Sequence, residues 1–243
     1  MAKLNMLLGV AAVAVTVTGA AHAETTFTGN IALTTDYAFR GISQTNEDPA
    51  VQGGFDATRG TLYAGTWASN IDFGAAADSQ LELDVYAGWK PVVGPVTLDL
   101  GVIGYLYPGA HDHGPSKGQP DELDYWELKA GGTIAPVENA SLGAVVFYSP
   151  EFTAKGGSGV YAEANGGYTF NPMFAVSGAV GHQTVDKTGY FADGTSTTDN
   201  YTTWNLGGTL TYEGFGFDLR YVDTNLDTPV TDSRVIFTIK RTL

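Results

Sequence analysis

The chain has 243 residues, 26 acidic against 12 basic side chains, a formal net charge of −14 and no cysteine. That acidic excess excludes a nucleic-acid partner, because such binders turn basic faces toward phosphate. The lack of cysteine excludes a disulfide framework, and the length suits one domain.

Residues 1–23 have the form of a bacterial secretory signal peptide. Lys3 supplies the positive start, Met6 to Thr18 the apolar run, and Ala21-His22-Ala23 a small-x-small cleavage site before Glu24. The apolar run falls short of the roughly 20 residues a spanning helix needs, so it reads as an export signal and not an anchor. Residues 24–243 then form the single folded domain.

From Glu24 onward about twelve segments near 10 residues long alternate with period two, and almost nothing carries a helical period. Segment one, Phe27 to Phe39, sets Phe27, Ile31, Leu33, Tyr37 and Phe39 against Thr28, Asn30, Asp36 and Arg40. Segment two sets Val51, Gly53 and Phe55 against Gln52, Gly54 and Asp56, across a polar loop from segment one. Segment three sets Tyr63, Gly65, Trp67 and Ile71 against Thr66, Asn70 and Asp72. The fourth is the cleanest: Leu81, Leu83, Val85, Ala87 and Trp89 oppose Gln80, Glu82, Asp84, Tyr86 and Lys90.

Segment five alternates Val96, Leu98, Leu100 and Val102 with Thr97, Asp99 and Gly101, and segment six alternates Trp126, Leu128, Ala130 and Ile134 with Tyr125, Glu127 and Lys129. Segments over 140–149, 158–169 and 174–184 are rich in small residues, although Glu163 and Asn165 still oppose Ala162, Ala164 and Tyr168. The pattern returns with Trp204, Leu206, Leu210 and Tyr212, then with Phe215, Phe217, Leu219 and Tyr221 against Asp218 and Arg220. A last segment over 235–240 ends in Lys240, just before Leu243.

Connection lengths alternate. Those near 58–60, 91–95, 135–139, 170–173 and 213–214 are short, while those near 41–49, 73–79, 108–122, 150–157, 185–200 and 224–232 are longer. The expected fold is all-β: a transmembrane antiparallel β-barrel of about twelve strands, with short periplasmic turns and longer extracellular loops. On the apolar face only Asp124 and Arg241 bring charge, each at a strand end. Aromatics there form two girdles: Phe27, Phe55, Trp89, Tyr168, Phe174, Tyr212 and Phe215 near the turns, and Tyr37, Phe39, Trp67, Trp126, Tyr148, Trp204 and Tyr221 near the loops. A soluble sandwich would use the same aromatics as core, but it has no need of connections that alternate in length.

Several blocks then resemble one family: residues 36–56, Tyr63-Ala64-Gly65-Thr66-Trp67-Ala68-Ser69-Asn70, Glu82-Leu83-Asp84-Val85-Tyr86-Ala87-Gly88, Tyr105-Leu106-Tyr107-Pro108-Gly109, Tyr148-Ser149-Pro150-Glu151-Phe152 and Tyr221-Val222-Asp223-Thr224. The chain is similar over nearly its whole mature length to the proteobacterial TorF-type porins, the Gcw_chp domain of unknown function. The resemblance implies an outer-membrane barrel of a Gram-negative bacterium and brings no catalytic or ligand residues with it. Leu243 departs from the terminal aromatic commoner in such barrels.

The polar face would line the lumen through Asp36, Arg40, Asp56, Glu82, Asp84, Lys90, Asp99, Glu127, Lys129, Glu163, Asp218, Arg220 and Lys240. Eight acids against five bases point to a passive path for small hydrophilic solutes or ions with a mild cation preference. In the other reading these charges pair across the barrel and, with Tyr86, Tyr105, Tyr125 and Tyr161, fill it. About twelve strands lies between barrels that side chains fill and barrels that hold a channel. Arg40 and Arg220 are expected to set selectivity more than stability.

His111 and His113, near Asp121 and Glu122, offer metal-competent ligands, but in a Gly/Pro-rich loop they read as solvated side chains. The acidic run from Asp193 to Asp199 reads the same way. An outer-membrane lipid hydrolase would need His182 beside a serine, and no Gly-x-Ser-x-Gly elbow accompanies it. No cofactor is implied, and the expected partners are outer-membrane lipid, lipopolysaccharide and small solutes.

Overall fold

Strands whose two faces want different surroundings can satisfy both by closing into a ring, with one face outward and one inward. The computed structural model describes residues 24–74, 79–110 and 123–243. Twelve strands form the wall: β1 (Thr25–Thr34), β2 (Ala50–Arg59), β3 (Leu62–Asn70), β4 (Leu81–Trp89), β5 (Val96–Leu106), β6 (Tyr125–Ile134), β7 (Ala140–Ser149), β8 (Gly159–Asn171), β9 (Phe174–Val185), β10 (Asn200–Tyr212), β11 (Phe215–Thr224) and β12 (Arg234–Thr242). Each pairs antiparallel with its neighbours, and β1 closes on β12 from Asn30 opposite Thr242 to Thr34 opposite Thr238. Closure leaves no edge strand, the condition for a sheet in hydrocarbon.

The wall is inverted relative to a soluble protein. Phe27, Leu33, Phe55, Val85, Leu128, Leu206, Leu219 and Phe237 are exposed on the outside, whereas Glu82, Glu127 and Gln183 are buried within. Two-residue links join β2 to β3, β8 to β9 and β10 to β11, while the opposite end carries longer segments such as 35–49 and 186–199.

Two of the expected faces are overturned. Segment one ends at Thr34, not Phe39, and residues 35–49 leave the wall and turn into the barrel. There Ala38–Phe39 pairs with Ile42–Ser43 around Arg40 (φ 49°) and Gly41 (φ 86°), the two positive φ values of a tight type I′ hairpin. The loop satisfies its own polar groups: Asp36 accepts hydrogen bonds from the hydroxyls of Ser43 (2.6 Å) and Thr45 (2.9 Å) and pairs with Arg234 (3.0 Å). Tyr37 and Phe39 therefore belong to the interior, where Tyr37 meets Trp67 edge-on at 5.2 Å and Phe39 meets Tyr105 at 5.7 Å.

Segment three is flipped. Thr66 lies opposite Phe55 and Val85, and Trp67 lies opposite Gly54 and Asp84. Facing residues share a side, so Tyr63, Gly65, Trp67 and Ile71 turn inward, while Leu62, Ala64 and Thr66 turn outward. Aromatic rings fit inside because glycines face them: Tyr63 lies over Gly88 and Gly101. The other expected girdle residues hold the outer wall, with Phe27, Phe55, Trp89, Tyr168, Phe174 and Tyr212 toward the turns and Trp126, Tyr148, Trp204 and Tyr221 toward the loops. Phe215 is half-buried under the Arg241 guanidinium, 4.7 Å from its ring centre, and Asp124 accepts the Tyr107 amide at 2.7 Å.

Two outcomes follow from this wall. Leu206→Arg, placing charge on the most lipid-exposed part of β10, should lower folding stability in lipid vesicles by about 2–4 kcal/mol in a urea titration. Of the four tryptophans, one retained alone at Trp126 should be quenched by brominated lipid chains, whereas one retained alone at Trp67 should not. Equal quenching would put Trp67 back on the outer face.

Candidate functional site

Near the loop end, every strand contributes a buried inward side chain: Thr34, Ala50, Ser69, Glu82, Tyr105, Glu127, Ser149, Tyr161, Gln183, Tyr201, Val222 and Ile236, from β1 to β12 in turn. Above them the loops add Ile71, Tyr107, Phe152, Phe191 and Leu226, which pack with Tyr105, Tyr125, Val185 and Tyr201 into one apolar cluster. Tyr105 and Tyr125 stack at 4.5 Å, and Phe191 meets Tyr201 edge-on at 4.8 Å. The described residues thus crowd the loop half of the barrel.

Arg40, at the tip of the inserted hairpin, occupies the middle of that layer. Its two terminal nitrogens donate to Glu127 at 2.9 and 2.6 Å, and Nη1 also donates to Gln183 Oε1 at 2.7 Å. The guanidinium lies 4.2 Å from the Tyr161 ring centre, 4.7 Å from Phe39 and 5.0 Å from Phe147. With side chains only 5% and 1% exposed, Arg40 and Glu127 form a buried, bidentate ion pair. Removing one partner from such a pair costs about 3–5 kcal/mol, because the other charge is stranded. Beside it the Tyr37 hydroxyl donates to Glu82 at 2.6 Å, and Tyr107 donates to the same carboxylate. Burial first, and Glu82 second, push both loop phenols well above their ordinary range, which keeps them protonated as donors.

Toward the turns the interior opens into a cavity of about 820 Å³. Phe39, Arg40 and Gly41 line its roof, and its walls reach Lys90, Thr133 and Lys240 beside the turns. Asp99 accepts from Lys129 and from the Tyr63 hydroxyl, both at 2.7 Å, with Lys90 at 3.7 Å. Asp218 accepts from Thr209 (2.6 Å) and Arg220 (3.1 Å), and Arg220 also donates to Asn205 (2.7 Å) and Ser177 (2.9 Å). Glu163 accepts from Tyr161 (2.8 Å) and Asn165 (3.0 Å). These side chains lie flat on the wall because glycines underlie them. A Cβ on Gly207 would stand 2.9 Å from Arg220 Cζ, and one on Gly181 would run into the Tyr161 ring.

The thirteen residues expected on the lumen therefore separate. Asp36, Arg40, Lys90, Asp99, Lys129, Glu163, Asp218, Arg220 and Lys240 line the cavity, four acids against five bases. Glu82 and Glu127 are buried in the packed layer, and Asp56 and Asp84 face inward off the cavity wall. Asp56 accepts the Tyr86 hydroxyl at 2.7 Å, while Asp84 Oδ1 is buried without a hydrogen-bond partner among the described residues. Arg234 and Gln183 escape the sequence reading, although period two from Lys240 through Ile236 places Arg234 on the inner face. His182 stands exposed on the outer wall, Nδ1 2.9 Å from the Thr202 hydroxyl, remote from the cavity. Asp193 accepts the Asp227 amide at 3.0 Å and so ties two loops together. His111, His113, Asp121 and Glu122 lie outside the described residues.

The fold is shared with solved outer-membrane channels. The chain superposes on a KdgM porin with a TM-score of 0.55 at 7% identity, covering 88% of this chain and 97% of that one. A NanC porin gives 0.57 at 7% identity, over 88% and 98%. The COG4313 outer membrane channel of Pseudomonas putida F1 gives 0.54 at 10% identity, over 93% and 99%. At such identities the likeness is one of fold, an outer-membrane type of barrel. No curated protein matches the sequence. The family described as "Bacterial protein of unknown function (Gcw_chp)" matches residues 18–243, and the chain belongs to it.

Proposed function

We propose that the protein is a porin-like channel of the Gram-negative outer membrane, exported through a cleaved signal at residues 1–23, that lets small hydrophilic solutes and ions diffuse passively. The observation that carries this reading is a polar cavity of about 820 Å³, lined with fixed charges, inside a barrel whose outer wall is apolar. Glycine recesses that hold Tyr63, Tyr161 and Arg220 against the wall leave that space open. Lipid and lipopolysaccharide meet its outer wall and loops.

The mild cation preference expected from the interior charges narrows to a particular residue. The cavity wall is close to balanced: Asp99 holds Lys90 and Lys129, Asp218 holds Arg220, and Glu127 holds Arg40. Glu163 lines the cavity, accepts only from Tyr161 and Asn165 and has no basic partner among the described residues, so the preference rests on it. Replacing it with glutamine should move the potassium-to-chloride permeability ratio of the reconstituted protein toward one. A reversal potential that does not move would remove it from the path.

The packed loop half favours a second reading, a non-conducting barrel whose loops bind something outside. Single-channel recording in planar bilayers separates the two. Discrete conductance steps support the channel, and silence from correctly folded protein that persists when the inserted loop is removed supports the closed barrel.

A further inference from the structure

Asp99 and Asp218 neutralise Lys90, Lys129 and Arg220 within the cavity wall, whereas the inserted loop is held by contacts that close a passage. We propose that residues 35–49 are a gate across the loop half of the barrel, and that the Arg40–Glu127 ion pair is the latch holding it shut. This rests on the channel reading above. A channel whose loop half is crowded by side chains from every strand opens by moving something, and this hairpin brings a loop side chain, Arg40, against β6 and β9 within that layer.

Three features make the closed position specific. The latch joins residues 87 apart in sequence, the hairpin tip and β6, through two parallel hydrogen bonds, with Gln183 of β9 as a third acceptor. The tip seats against β10 and β11 because Gly41 has no Cβ: one there would collide with Thr203 and Thr224, and its φ of 86° is itself a glycine conformation. The base of the loop is anchored separately, since Asp36 holds Ser43, Thr45 and Arg234. The segment between Asp36 and Ser43 can therefore swing while its ends stay fixed. Once it leaves, Glu127 becomes a carboxylate facing water and Arg40 is solvated with the loop, so neither charge is stranded in the open state.

The test is planar-bilayer recording in potassium chloride on Arg40→Gln, Glu127→Gln, Gly41→Val and the exchange Arg40→Glu with Glu127→Arg. A further variant lacks residues 37–42, and barrel folding of each is confirmed by heat-modifiable migration on gels. Losing the latch or the seat should raise the open fraction by roughly a hundredfold, in keeping with the loss of a buried pair, and the exchange should lower it again. Folded variants that conduct like the native protein would overturn the latch and leave the channel reading standing. Silence from every variant, the deletion included, would overturn both.

Discussion

Everything in this structure depends on the closing of β1 against β12. In hydrocarbon an unpaired amide or carbonyl has no water to turn to, so a sheet survives there only as a ring. Once the ring is closed, period-two alternation sorts side chains without further instruction: Leu206 goes to the lipid and Asn205 to the interior, one residue apart. The absence of cysteine costs the fold nothing, since the ladder of strand pairing supplies the continuity that cross-links give to small secreted domains.

Closure creates a second problem, which the interior solves differently at its two ends. Twelve strands enclose more space than their inward side chains fill. Toward the turns, glycines beneath Arg220, Tyr63 and Tyr161 let large polar groups lie along the wall, and a charged cavity remains. Toward the loops the volume is taken up by tyrosines, by loop aromatics and by a hairpin that folds back inside. The sequence left a hydrated path and a barrel filled by paired charges as alternatives for the lumen; the structure has a charged cavity toward the turns and a crowded, largely aromatic layer toward the loops.

Much of this was legible along the chain. Strand number, antiparallel order, the alternation of short and long connections, the position of Glu82, Asp84, Asp99, Glu127 and Lys129 on the inner face, and most of both girdles follow from alternation alone. The misplaced aromatics share one cause. Tyr37, Phe39, Tyr63 and Trp67 are aromatic, and an aromatic ring suits either a membrane interface or a lumen with room for it. Glycine partners supplied that room for Tyr63 and Trp67. For Tyr37 and Phe39 the signal was Arg40-Gly41, a tight-turn pair hidden in what otherwise scans as a continuing strand.

By itself the sequence determined a single all-β domain with an oily outside and an ionised inside, because alternation is a local property and hydrogen-bond closure leaves it one arrangement. Only the tertiary structure decided which charges meet. Arg40 and Glu127 belong to distant segments, and nothing in either segment names the other. Their pairing depends on the path of a loop through space already bounded by twelve strands, and that path exists only after the ring has closed.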